Sequence, residues 1–345
     1  MNNITPSTGT TRRIVSIAAA LCLATLALAL APAPAAASPV DNDIIAMLPK
    51  DAGEVAYANL KAARQYPWFE QLKEQMLPAK FKQFESFLTA AGIDPNTQVE
   101  ELTWALVPVM PANATGTSVP SSEGVVGIAQ GQFQPDTAEA YFQSKKIPMI
   151  KIRDFSLYSF GSGSGPGDLF LFFLDTNTAV FGQRKQLEEL ISVRYGEAQG
   201  LAANPELSSL VNEANGTGLV WAVLDPAYTR LAIQQLAGGA AQFSQAGQVI
   251  AQLKSMIVSF EADSGIQVHF QAVCTTPEAA NTFAALLQAG LLLQKYQAQQ
   301  TNPDLAALLD ETQVSPNGDR LDLRLSLTDD QVVALIRRNT FAMGL

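Results

Sequence analysis

Two stretches of this chain share one outline, and together they constrain its fold more than any other feature. Residues 53–72, GEVAYANLKAARQYPWFEQL, and residues 217–236, TGLVWAVLDPAYTRLAIQQL, each run from an alternating, strand-like segment into a helix-like one. With Val55 set on Leu219, Tyr57 falls on Trp221, Ala58 on Ala222 and Leu60 on Leu224. Alternation of period two sends successive side chains to opposite faces. Val55, Tyr57 and Asn59 therefore share one face, and Ala56, Ala58 and Leu60 the other. The small residues of the second face leave room for a helix to pack close.

The order of elements repeats as well: strand, helix pair, strand, strand, helix, strand, helix. QPDTAEAYF matches TPEAANTF, with Pro135 on Pro277 and Ala138 on Ala280, and AVFGQRKQLEELI matches RLSLTDDQVVALI. The three offsets are 164, 142 and 145 residues, so an insertion is expected in the first half, in the loop at 109–124. The expected fold is α+β with two similar repeats, 53–199 and 200–345. Each repeat is a mainly antiparallel or mixed sheet with helices mostly on one face. LFLFFL (169–174) is apolar on both faces and should be covered on both. DRLDLRLSL (319–327) alternates strictly, which sets Arg320, Asp322, Arg324 and Ser326 on a wet face. The helix at 277–298 is apolar nearly all round from Phe283 to Leu293 and is expected to be buried on more than one side.

Residues 1–37 read as a secretory signal. Arg12 and Arg13 form its positive region, Ile14 to Leu30 its apolar run, and Ala35-Ala36-Ala37 a small-residue cleavage pattern before Ser38. The alternative is an uncleaved anchor, and a run of 17 residues is near the lower limit for a span. The Arg pair without a strong motif match does not call for twin-arginine export, and Cys22 behind Leu21 does not suit a lipoprotein site. Residues 38–52 form a lead-in. Cleavage predicts an exported protein, periplasmic or secreted, with no stable membrane span left.

Loss of Arg12 and Arg13 leaves 20 Lys and Arg against 32 Asp and Glu, a net charge of −12. Such a charge repels nucleic acid and anionic lipid. Cys274 is then the one cysteine left, so no intramolecular disulfide can form. A mature chain of 308 residues can hold an apolar core without staples or metal.

The sequence contains a single histidine, His269. Any Ser-His-Asp or Cys-His arrangement must use it, and a multi-histidine metal site is impossible. Cys274 lies five residues on, on the opposite face of the same strand, so the two make no dyad. With no orienting partner evident, His269 reads as an ordinary sheet residue and Cys274 as a small buried hydrophobe. FGSGSGPGD (160–168) follows a strand but lacks a GK[ST] ending and leads into another strand, so it reads as a hairpin loop. Asp319 with Asp322 has the wrong spacing for a calcium loop, and Asp175 with Asn177 suits a turn. Asp329 and Asp330 suit the first turn of a helix. No carboxylate pair stands out for acid–base work. The sequons at Asn113 and Asn215 read as coincidence. Trp68 and Phe69, side by side at a helix start after Pro67, would form a partner surface if exposed.

LPKDAGEVAYANL (48–60) resembles the opening of uncharacterised exported bacterial proteins, in which a Leu-Pro-x-Asp-Ala turn after the signal leads into a strand. AGIDPNTQVEELTWAL (91–106) extends the resemblance. It implies export and an α+β fold, and supplies no site residues.

The expected function is that of a non-enzymatic exported protein that binds or scaffolds an envelope partner. No catalytic, cofactor-binding or metal-binding residue is assigned. The alternatives are a histidine-independent hydrolase using Ser or carboxylates, and a carrier of an apolar ligand held between the sheet and the helix at 277–298. The partner is an unknown protein or an apolar ligand, and not nucleic acid.

Overall fold

Eleven antiparallel pairings join twelve strands into one continuous sheet in the computed structural model of this chain. The structure describes residues 39–67, 69–76, 79–109, 122–165, 167–237, 250–262, 266–301 and 303–337. The first seven strands are β1 (Glu54–Asn59), β2 (Val99–Val109), β3 (Ser122–Gly131), β4 (Met149–Ile152), β5 (Phe155–Phe160), β6 (Leu169–Phe173) and β7 (Thr178–Gln183). The remaining five are β8 (Val220–Leu224), β9 (Leu253–Ala262), β10 (Ile266–Cys274), β11 (Gln313–Asn317) and β12 (Arg320–Leu327). Their order across the sheet is β11-β12-β10-β9-β8-β1-β2-β3-β7-β6-β5-β4. The two stretches that share an outline meet at its middle, where Tyr57 of β1 pairs with Trp221 of β8.

Among the described residues there are twelve α-helices. Six precede residue 150: α1 (Asn42–Ala46), α2 (Leu60–Ala63), α3 (Phe69–Met76), α4 (Ala79–Ala90), α5 (Pro95–Gln98) and α6 (Pro135–Ser144). The others are α7 (Arg184–Arg194), α8 (Pro205–Ala214), α9 (Pro226–Ala237), α10 (Pro277–Thr301), α11 (Pro303–Glu311) and α12 (Asp329–Arg337). Their starts carry the expected chemistry. The Asn204 side chain accepts from Leu207 N at 3.2 Å to cap α8, and Asp225 accepts from Tyr228 N at 2.8 Å at the start of α9. At α12, Thr328 N donates to Gln331 Oε1 at 2.7 Å and Gln331 N returns a bond to Thr328 Oγ1, a reciprocal capping box. None of the helices among the described residues is long and apolar enough to cross a membrane.

Period-two alternation sorts the core into two layers. On one face Ala56, Trp104, Leu106, Ala222, Met256 and Phe260 meet α3, α9 and α12. The same face carries Ala129, Leu171, Phe173 and Phe181 under α4 and α6. On the other face Val55, Tyr57, Val126, Phe170, Phe172 and Trp221 meet α1, α7 and α8. Helices therefore cover both faces, most of them on the first. All five residues of β6 are buried, as its two-faced apolar run requires.

Beyond β9 the second face carries Gln267, His269, Arg324 and Ser326, and Arg320 of β12 pairs there with Glu213 of α8. Arg324 and Ser326 are exposed as expected, whereas Asp322 is buried beneath its neighbours. The helix expected to be buried on several sides is not. Ala279, Ala280, Phe283 and Ala284 of α10 pack on Ala272 and Leu321, and Gln288 reaches Val314 O on the edge strand β11. Farther along, α10 meets α11, where Ala298 is buried and Lys295 pairs with Asp310, while Leu292 is 68%, Leu293 60% and Tyr296 65% exposed. A helix of 25 residues is about 37 Å long, while three strands span only about 14 Å.

Candidate functional site

α3 and α4 pack on the first face of the sheet through residues spaced three and four apart, and they leave a gap beneath them. Phe69 and Leu72 of α3, and Phe84 and Leu88 of α4, are buried toward the sheet. Below them the sheet offers Ala129 paired with Ala179, two of the smallest side chains available. The result is a partly open cavity of about 150 Å³. Its apolar end is formed by Phe84, Phe133, Phe173, Phe181, Ala129 and Ala179. The rings brace one another: Phe84 lies 5.9 Å from Phe181 and Phe133 lies 6.0 Å from Phe173, centroid to centroid. Gly127 is what lets the Phe181 ring lie flat on β3, since a Cβ there would come within 2.3 Å of it.

Charged side chains stand at the other end, with little of their polar surface turned to the cavity. Arg64, Lys73, Glu85 and Asn96 line it. Arg64 Nη2 donates to Pro95 O at 2.8 Å and Val99 O at 2.6 Å, which pins α5 and the start of β2. Arg64 Nε is buried with no hydrogen-bond partner. Lys73 Nζ bonds Asn96 Oδ1 and lies 3.4 Å from both Glu70 and Glu85. A chamber with so apolar a wall is suited to a small apolar molecule.

The residues named from sequence fall as follows. Phe69 is buried and lines this cavity, so it is no exposed anchor. Trp68 lies outside the described residues, as does Asn113. Beneath 277–298, Ala279, Ala280, Phe283 and Ala284 of α10 pack on Leu253, Ala272 and Cys274. Cys274 is buried, and burial raises its thiol above the ordinary value. The Asn215 side chain holds Val40 N and Val40 O at 2.8 and 3.0 Å, which makes it a structural clasp. The loop 160–168 is a hairpin closed on itself, with Asp168 accepting from Ser162 Oγ and Gly165 N. Asp175 accepts from Asn177 N in the β6–β7 turn.

His269 does have an orienting partner, contrary to the sequence reading. Its Nε2 lies 2.8 Å from Asp322 Oδ1, and Gln271 donates to the same oxygen at 3.0 Å. Register brings them together across β10 and β12, from residues 53 apart in sequence. Ser259 stands opposite His269 on β9, but no hydrogen bond joins it to the ring. The arrangement is two members of a triad without the nucleophile.

A carboxylate cluster also emerges that the sequence reading did not single out. Glu54 of β1, Glu123 of β3 and Asp225 ahead of α9 converge on the first face around Trp104 and Tyr228. Tyr228 reaches this point because Gly53 has no side chain; a Cβ there would lie 2.3 Å from the ring. Burial holds the Glu54 carboxyl well above the usual carboxylate range, and the charge of Glu123 adds to it. Burial pushes Glu123 up to about 7 and also raises Asp225. Trp104 stands beside the Glu54 carboxyl and Tyr228 beside the Glu123 carboxyl, each close enough to moderate its rise. One signal was legible: Glu54 is in phase with the buried Ala56 and Ala58. Among the described residues no group of three or more His, Cys, Asp and Glu is arranged to hold a metal ion.

No family model matches the chain, and no curated protein matches it. Among solved structures it is similar to one described as "Structure of crystal form I of TP0453", at 10% identity and a TM-score of 0.45, covering 87% of this chain and 99% of that one. At that identity and score the likeness bears on neither the site nor the activity.

Proposed function

We propose that this chain is an exported, non-enzymatic binding protein that holds a small apolar molecule in the cavity beneath α3 and α4. The observation that carries this reading is a chamber of about 150 Å³ walled by phenylalanines. An apolar cavity of that size accommodates a ligand about as large as benzene. The test is titration with fluorobenzene, followed by its fluorine NMR shift, against the wild type and Ala179→Leu. The three added carbons should take up about half of the chamber, too much to leave room for the probe, and abolish binding while the thermal transition persists. Binding that is absent in the wild type, or unchanged in Ala179→Leu, overturns the reading.

Export is supported by the Arg12–Arg13 start, the apolar run and the Ala-rich cleavage pattern. N-terminal sequencing of secreted material should begin near Ser38; recovery of intact residues 1–37 in a membrane fraction contradicts it. A hydrolase working through carboxylates is the competing reading, and the Glu54–Glu123–Asp225 cluster favours it. Against it, Glu54 is 1% exposed and cannot meet a substrate without movement of the sheet or of α9.

A tandem repeat is part of the same proposal. Counting outward from the β1–β8 pair, β1-β2-β3-β7-β6 mirrors β8-β9-β10-β12-β11. Ala56 pairs with Ala222 and Ala58 with Val220, as a two-fold axis through Tyr57 and Trp221 would require. α6 and α10 both lie on the first face. α7 and α12 break the correspondence, since they pack on opposite faces. Superposition of the five-strand sets in an experimental structure tests it; strands that fail to overlay in this order contradict it.

A further inference from the structure

We propose that the ligand of this cavity is an uncharged aromatic hydrocarbon of a single ring, selected over saturated rings of similar size by the phenylalanines around it. The inference rests on the reading of the cavity as a binding site and names the class of its occupant. The volume, about 150 Å³, sets the size at roughly one six-membered ring. The almost wholly apolar wall excludes charge, because an ion there would leave water with little to replace it.

The rings set the class. The chain has 17 phenylalanines, and six of them line this one chamber: Phe69, Phe81, Phe84, Phe133, Phe173 and Phe181. The planes of neighbouring rings are inclined, by 42° between Phe84 and Phe181 and by 52° between Phe133 and Phe173. A ligand ring among walls of differing inclination meets some of them edge-on and others face-on, and the aromatic quadrupole favours such arrangements. A saturated ring has no quadrupole of that kind and gains dispersion contacts alone. The aliphatic part of the wall holds either kind of ring equally well, so it decides nothing.

Water works against this preference. Benzene leaves water less readily than cyclohexane does, because its negative faces accept weak hydrogen bonds. Affinity is therefore judged against each compound's partition from water into hexadecane, a phase that is apolar but contains no rings.

The test measures displacement of fluorobenzene from the protein by benzene, by cyclopentane, which is close to benzene in volume, and by cyclohexane. Relative to its partition, benzene should bind about threefold or more tighter than either saturated ring, the gain expected of one or two favourable ring pairs. Phe133→Leu and Phe181→Leu should each reduce that advantage while cyclopentane and cyclohexane still bind, which shows that the chamber remains formed. The wild-type comparison decides the matter even where a variant does not fold. Benzene bound no better than its partition predicts overturns the inference and leaves the apolar cavity standing. An advantage undiminished in both variants overturns it as well. Failure of the probe and of all three hydrocarbons to bind removes the underlying cavity reading instead.

Discussion

Tyr57 and Trp221 stack across the β1–β8 pairing, with ring centroids 5.8 Å apart and planes 26° from parallel. They are register partners at the centre of the sheet, 1% and 0% exposed. This pair is where the two halves of the chain join, and its energetics are testable. Trp221→Ala should cost about 3–5 kcal/mol by urea unfolding, the loss of a large buried ring and the cavity it leaves. Tyr57→Phe keeps the stack and removes only the hydroxyl, which stands beside Glu101 and Asn59. It should change stability by no more than about 1 kcal/mol. A large loss in Tyr57→Phe contradicts this description of the join.

Glu123 gives the protein a pH dependence of predictable sign. Its carboxyl titrates near 4.5 when unfolded and near 7 when folded, because burial disfavours the charge. The folded state holds the proton more tightly, so this contribution to stability is complete below about pH 4.5 and is lost as pH rises through about 7. A shift of that size corresponds to about 3 kcal/mol. Glu54, also raised, acts in the same direction. Urea midpoints should fall across this interval, and Glu123→Gln should flatten the fall. An unaltered slope in Glu123→Gln would assign the effect to other groups.

His269 stands on the face of the sheet opposite the cavity. His269→Ala removes its bond to the buried Asp322, leaving that carboxylate with Gln271 alone. Stability should drop by about 1–2 kcal/mol, while fluorobenzene affinity stays unchanged. Loss of binding in a folded His269→Ala protein would show that the two faces communicate.

What the sequence displays and what it conceals divide along physical lines. Alternation in EVAYAN and RLDLRLSL and the helix starts at Pro135, Pro205 and Pro277 are local patterns, and each element forms where they place it. Two strands escape such reading. β4, MIKI, is only four residues long, and β11, QVSPN, is polar and contains Pro316. Both lie at sheet edges, where proline, charge and short length discourage pairing with other chains. The cavity was half legible. Phe69, Phe84 and Leu88 show their apolar spacing, but the opening beneath them depends on Ala129 meeting Ala179 across β3 and β7. The Asp322–His269 contact and the Glu54–Glu123 cluster likewise depend on strand register, which single segments do not carry.

The far end of α10 should tolerate polarity. Leu292 and Leu293 are exposed. Leu292→Gln and Leu293→Gln should each change stability by no more than about 0.5 kcal/mol. A loss of several kcal/mol in either variant, measured by urea unfolding, would mean that this surface is covered in the folded protein.

The most direct test of cavity binding is a crystal structure of the protein with bromobenzene, located by the anomalous scattering of bromine. The expected result is a single strong bromine peak enclosed by Phe84, Phe133, Phe173 and Phe181 beneath α3 and α4. A bromine site on the exposed Leu292–Tyr296 surface of α10, or no ordered bromine at saturating ligand, contradicts it.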